Sequence, residues 1–122
     1  MISSIKTGEL MKRMASGDKL RLVDVREVEE FNASHLEESE SMPVTCFQKH
    51  YQEILQDKDE EIILVCRSGG RSMIIAIFLE GQGYKNLVNF DGGVLGWAES
   101  GLKLTPTQEI LPSHLKAMPD LF

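Results

Sequence analysis

Cysteine is scarce in this chain: only Cys46 and Cys66 occur in 122 residues. Two are too few for a disulfide framework or a four-cysteine zinc site. The three histidines, His35, His50 and His114, share no metal-ligand spacing, so neither a metal nor any other cofactor is expected. Positive charge is also short. Thirteen basic residues against nineteen acidic ones leave a net charge of -6, which disfavours nucleic acid and anionic membrane as partners. The longest unbroken apolar run, Met73 to Leu79, is far below the roughly 20 residues that cross a bilayer. The opening Met1-Ile2-Ser3-Ser4-Ile5-Lys6 carries no apolar signal core, which predicts a cytoplasmic protein. What remains is ordinary folded composition, 42% hydrophobic and 26% charged, at the size of one domain.

Apolar runs with strand character alternate with stretches of helical period. Leu20 to Val25, Ile62-Ile63-Leu64-Val65 and Leu87-Val88-Asn89-Phe90 are predicted strands, with shorter extended pieces at Ile2 to Ile5 and around Ser41-Met42-Pro43. Between them, Thr7 is placed to cap a helix bearing Leu10, Met11 and Met14 on one face. Val28 and Phe31 pair at a spacing of three. Phe47, Tyr51, Ile54 and Leu55 form an amphipathic stripe, and Ile74, Ile77, Phe78 and Gly81 another that stops at Gly83. This alternation predicts an α/β fold: a mostly parallel five-stranded sheet with helices on both faces. Such sheets bind ligands outside the carboxyl ends of their strands.

One segment leaves such an end with chemistry in it: Cys66-Arg67-Ser68-Gly69-Gly70-Arg71-Ser72. Adjacent glycines let the backbone curl and turn its N–H groups inward, forming an anion nest that opens onto a helix N-terminus. Arg67 and Arg71 add permanent positive charge. A free thiol titrates at about 8.5, and a positive helix end favours the thiolate, the nucleophilic form. The bland alternative makes Cys66 a small buried hydrophobe. Two flanking arginines and two glycines at the end of a buried strand argue against it.

Four segments in order resemble the rhodanese-like sulfurtransferases, over roughly Ile5 to Leu104. Leu22-Val23-Asp24-Val25-Arg26-Glu27-Val28-Glu29-Glu30-Phe31 is similar to the family's strand-to-helix signature. Ser34-His35-Leu36 with Met42-Pro43 is similar to its next segment, and Cys66 to Ser72 to its active-site loop. Asp91-Gly92-Gly93-Val94-Leu95-Gly96-Trp97 with Gly101-Leu102 matches the closing segment. The resemblance implies that Cys66 attacks the outer sulfur of thiosulfate, or of a persulfide donor, and carries it as a persulfide. Cyanide or a thiol, including that of a small redox protein, would then accept the sulfur. Arg67, Ser68, Gly69, Gly70, Arg71 and Ser72 are the expected donor-binding loop, Arg71 being equally able to brace it.

The chain departs from the family where Ala33-Ser34 precedes the histidine and where Glu37-Glu38-Ser39-Glu40-Ser41 replaces a glycine-alanine turn. The acidic turn is read as a solvated face, the alternative being that it approaches the loop, opposes a dianionic donor and makes thiosulfate a poorer substrate than a neutral or protein-bound persulfide. Asp24 and Arg26 are read as an ion pair or helix cap, His35 as a structural hydrogen-bonding residue, and Trp97 as core beneath Gly92-Gly93. Cys46 is expected to be buried, with a resolving role left open. Two rival functions are weighed. A cysteine phosphatase or arsenate reductase closes its loop with five residues between cysteine and arginine, whereas this chain has four, Arg67 to Gly70. A non-catalytic binding or regulatory module needs no activated thiolate. Residues 105–122 form a tail rich in proline yet bearing Ile110, Leu111, Leu115, Met118, Leu121 and Phe122, docked on residues 1–104, frayed, or pairing two copies of the chain.

Overall fold

The computed structural model describes residues 2–105, so the expectations for the tail beyond Thr105 lie outside the described residues. Five strands, β1 (Ile2–Ile5), β2 (Leu22–Asp24), β3 (Ser39–Ser41), β4 (Ile62–Val65) and β5 (Leu87–Phe90), form one parallel sheet in the order β1-β5-β4-β2-β3. Helices α1 (Thr7–Ala15), α2 (Val28–Ala33), α3 (Phe47–Ile54), α4 (Gly70–Gly81) and α5 (Gly93–Glu99) connect and cover them. The continuous apolar run of β4 and the largely apolar run of β5 are buried along their whole length because helices cover both faces.

The pleat divides the core in two. Ile62 and Leu64 join Val23, Phe47, Tyr51, Ile75 and Leu79 under α3 and α4, while Ile63 and Val65 join Leu10, Val88, Phe90, Val94 and Trp97 under α1 and α5. Cys66 continues the first alternation, so its side chain lies on the α3/α4 side. Trp97 is core as expected, its ring edge-on to Phe90 and its Nε1 donating to Lys103 O at 3.0 Å. Among the described residues, no helix is long and apolar enough to cross a membrane.

Several helical faces differ from their periodicity. The buried face of α4 is Arg71, Ser72, Ile75, Ala76 and Leu79, and Ile77 of the predicted stripe is 57% exposed. Two polar residues head the true inner face, so counting apolar groups selects the neighbouring stripe. In α2 the buried residue is Glu30, while Val28 is exposed. Thr7 is the first helical residue and Lys6 the N-cap; the Thr7 hydroxyl instead packs against Gly92, where a β-carbon would come within 2.9 Å of it. The stop at Gly83 holds: its φ is +93°, its N–H donates to Glu80 O, and that of Tyr84 to Leu79 O, a Schellman closure. β3 sits two residues earlier than the sequence suggests. The acidic turn enters β3 at its amino end, where Ser39 pairs with Leu22, the opposite end of the sheet from Cys66, and Glu40 is bound by Arg21 at 2.7 Å.

Candidate active site

Cys66 leaves the carboxyl end of β4 fully buried. Its sulfur accepts the Gly69 N–H at 3.0 Å, and the Ser72 hydroxyl lies 3.3 Å away. Gly69 alone of the glycine pair carries the backbone strain. Its φ is +98°, and a β-carbon there would sit 2.6 Å from Asp91 O, whereas Gly70 opens α4 with free space around it.

The loop is clamped from behind. Val94 N–H donates to Cys66 O and Leu95 N–H to Arg67 O, both at 2.9 Å, so the N-terminus of α5 takes up the loop carbonyls. This close approach demands Gly93, where a β-carbon would stand 2.3 Å from Arg67 O and 2.6 Å from Cys66 O. With its carbonyls held outward, the loop is free to turn N–H groups toward the sulfur.

The two arginines divide the labour. Arg71 is fully buried and meets both Glu30 oxygens, at 2.7 and 2.9 Å, so it braces the loop against α2. Glu30 Oε1 also accepts the Glu27 N–H that starts α2. Arg67 is half-buried, has no ion-pair partner among the described residues, and keeps its Nε buried and unbonded. It is the loop's available cation. Ser68 and Gly70 lie exposed at the mouth; Gly69 and Ser72 are buried beside the sulfur.

Asp24 and Arg26 form the structural pair expected of them, bidentate and buried, and Arg26 adds a bond to Ser34 O at 2.7 Å. His35 is likewise structural: Nδ1 meets Phe31 O at 2.9 Å and the ring stacks on Phe31. Cys46 contradicts its expected burial. It is the exposed N-cap of α3, because the inward stripe runs through Phe47, Tyr51 and Leu55.

Asn89 is the site residue the sequence reading passed over. It is 2% exposed; its Oδ1 lies 2.5 Å from Ser72 Oγ, and its Nδ2 donates to Gly69 O and to Asp91 Oδ1. The available signal was a lone amide in an otherwise apolar strand.

Comparison with known proteins agrees with this fold. The Rhodanese-like domain family model matches residues 6–100. A protein of Allochromatium vinosum named sulfurtransferase is 31% identical over 104 residues, which span 85% of this chain and 95% of that one. The crystal structure of a rhodanese-like domain protein from Staphylococcus aureus superposes with a TM-score of 0.72 at 28% identity, covering 84% of this chain and 98% of the other. A rhodanese-like domain from Anabaena shares the fold, with a TM-score of 0.77 at 20% identity over 100% of this chain and 90% of its own. A parallel sheet in this strand order, a cysteine loop at the end of β4 and a family match over most of the chain place the protein in the rhodanese-like domain family.

Proposed function

We propose that the protein is a sulfurtransferase that carries a sulfane sulfur on Cys66. The observation that carries this reading is the seat of the sulfur: buried, facing the Gly69 N–H and the Ser72 hydroxyl, in a loop whose carbonyls are bound elsewhere. Family membership and the sulfurtransferase relative support sulfur transfer as the general activity.

In the first half-reaction the Cys66 thiolate attacks the outer sulfur of thiosulfate, the S–S bond to the sulfonate breaks, and sulfite leaves with the bonding pair. The enzyme keeps a persulfide whose terminal sulfur is negative, and inward N–H groups stabilise that charge as an oxyanion hole would. In the second, a thiol of a small molecule or redox protein, or cyanide in an assay, takes the terminal sulfur and returns Cys66 as thiolate. A persulfide donor enters by the same attack with a thiolate as leaving group. Arg67 faces the anionic donor, and the acidic turn, at the far end of the sheet, does not oppose it. Commitment of Arg71 to Glu30 argues against a phosphatase, which needs its loop arginine for the oxyanion.

Intact-protein mass after incubation with thiosulfate tests this. Wild type and Cys46→Ser gain one sulfur, and cyanide removes it; Cys66→Ser gains none. A sulfur on Cys66→Ser, or none on a folded wild type offered both thiosulfate and a persulfide donor, overturns the assignment.

A further inference from the structure

The Ser72 hydroxyl faces two acceptors and owns one proton. Asn89 Oδ1 is 2.5 Å away and Cys66 Sγ 3.3 Å. The amide cannot be turned over: Nδ2 meets Gly69 O at 3.3 Å and Asp91 Oδ1 at 3.1 Å, both acceptors, so the oxygen must face Ser72. Ser72 and Asn89 are 0% and 2% exposed, which leaves no open water to arbitrate. With the hydroxyl on Asn89, the sulfur keeps the Gly69 N–H but meets the lone pairs of Ser72 Oγ, which suits a thiol donating its S–H, and the inner sulfur of a persulfide, being neutral, makes no demand on the hydroxyl proton. A thiolate instead needs the hydroxyl proton for itself.

We propose that Asn89 is a positioning residue that acts through Ser72: it competes with the Cys66 sulfur for a single hydroxyl proton and so makes that proton a two-position support. The hydroxyl turns to the sulfur whenever Cys66 is a thiolate, before loading and again as the terminal sulfur departs. It returns to Asn89 while the sulfur is carried. The inference deepens the sulfurtransferase reading but rests on it only for its role in the cycle; the competition itself is a property of the free thiol.

Other charges near this end of the sheet are present in every variant compared. Arg71 with Glu30, on α4 and α2, and Arg26 with Asp24, after and on β2, are ion-paired, Glu27 at the start of α2 accepts from Thr45, Asp91 after β5 accepts from Asn89 Nδ2, and Arg67 lies in the loop.

The test is the pH profile of Cys66 alkylation by iodoacetamide in a Cys46→Ser background, where Cys66 is the single cysteine and no sulfur transfer is required. Asn89→Leu releases the hydroxyl to the sulfur and moves the midpoint of the profile down by roughly half a pH unit to one, the scale of one hydrogen bond. Asn89→Ser, which keeps a polar group but withdraws the amide oxygen, moves it the same way and serves if the leucine variant does not fold. Ser72→Ala moves the midpoint up. In the Ser72→Ala background Asn89→Ser has no further effect, a non-additivity that a merely structural role would not produce. An unmoved midpoint in folded Asn89 variants, or a shift that survives loss of the Ser72 hydroxyl, overturns the proposal. Sulfur loading measured on the same proteins reports separately on the sulfurtransferase reading.

Discussion

Glu30 grips Arg71 with both carboxylate oxygens across 41 residues of sequence, and the guanidinium it holds is completely buried. The pair joins α2 to the first turn of α4, so the loop that carries Cys66, clamped by α5 from behind, is anchored to α2 through an ion pair. Removing one partner strands the other charge in the interior, which costs about 3–5 kcal/mol.

Glu30→Ala is therefore expected to destabilise the fold by that amount and to lower sulfur loading with it. Arg71→Lys, which keeps charge but loses the bidentate fork, is expected to fall between wild type and Glu30→Ala. Denaturant unfolding of the three proteins checks the order. Equal stability of Glu30→Ala and wild type would remove the pair from its bracing role.

Glycine substitutions separate geometry from composition. Gly93→Ala drives a methyl group into Arg67 O, and Gly69→Ala meets both a left-handed φ and Asp91 O, so each costs on the order of 1–3 kcal/mol or more. Gly70→Ala has open space and ordinary dihedrals, and as a helical position it changes stability by at most about 1 kcal/mol, in the favourable direction. Thermal melting of the three variants checks this. A Gly70→Ala as damaging as Gly69→Ala would show that the loop needs both glycines.

The strands that carry the site are plain in the sequence, because β4 and β5 are covered on both faces and read as apolar runs, broken only by Asn89 in β5. β3 was misplaced because Ser39–Ser41 is a half-buried polar edge strand with no alternation to find, defined by pairing with β2. The Cys66 loop was legible from its local composition. Glu30 and Asn89 were not, since their roles exist only through partners 41 and 17 residues away, and a one-dimensional pattern shows a buried glutamate as surface charge.

Tyr84 predicts an alkaline limit. Burial, with a smaller contribution from Tyr51, raises its pKa above the ordinary tyrosine value, and its hydroxyl donates to Leu55 O. The unfolded chain releases this proton at about pH 10 while the fold retains it. Its stabilisation is thus complete below that pH and is lost as pH rises toward the folded pKa. Tyr84→Phe is expected to be less stable at neutral pH, by about 1 kcal/mol for the orphaned carbonyl, yet to lose less stability between about pH 9 and 11. Urea unfolding across that range measures the difference; parallel slopes for the two proteins would exclude Tyr84 as the source.

Arg67 offers the last test, because the division of labour between the arginines makes opposite demands on them. Arg71 is buried and holds Glu30 with two hydrogen bonds, so its loss registers first as instability. Arg67 has no ion-pair partner among the described residues and stands half-buried beside Cys66, so its loss registers as weaker binding of an anion. Arg67→Ala is expected to keep its melting temperature, to raise the KM for thiosulfate about tenfold, the equivalent of ~1.4 kcal/mol, and to leave kcat close to wild type, the mark of lost ground-state binding. Since one partner is an exposed dianion, added salt should raise the wild-type KM and affect the variant less. Steady-state kinetics at two ionic strengths decide it. A KM and salt response unchanged by Arg67→Ala would mean that the loop N–H groups hold the donor without this guanidinium.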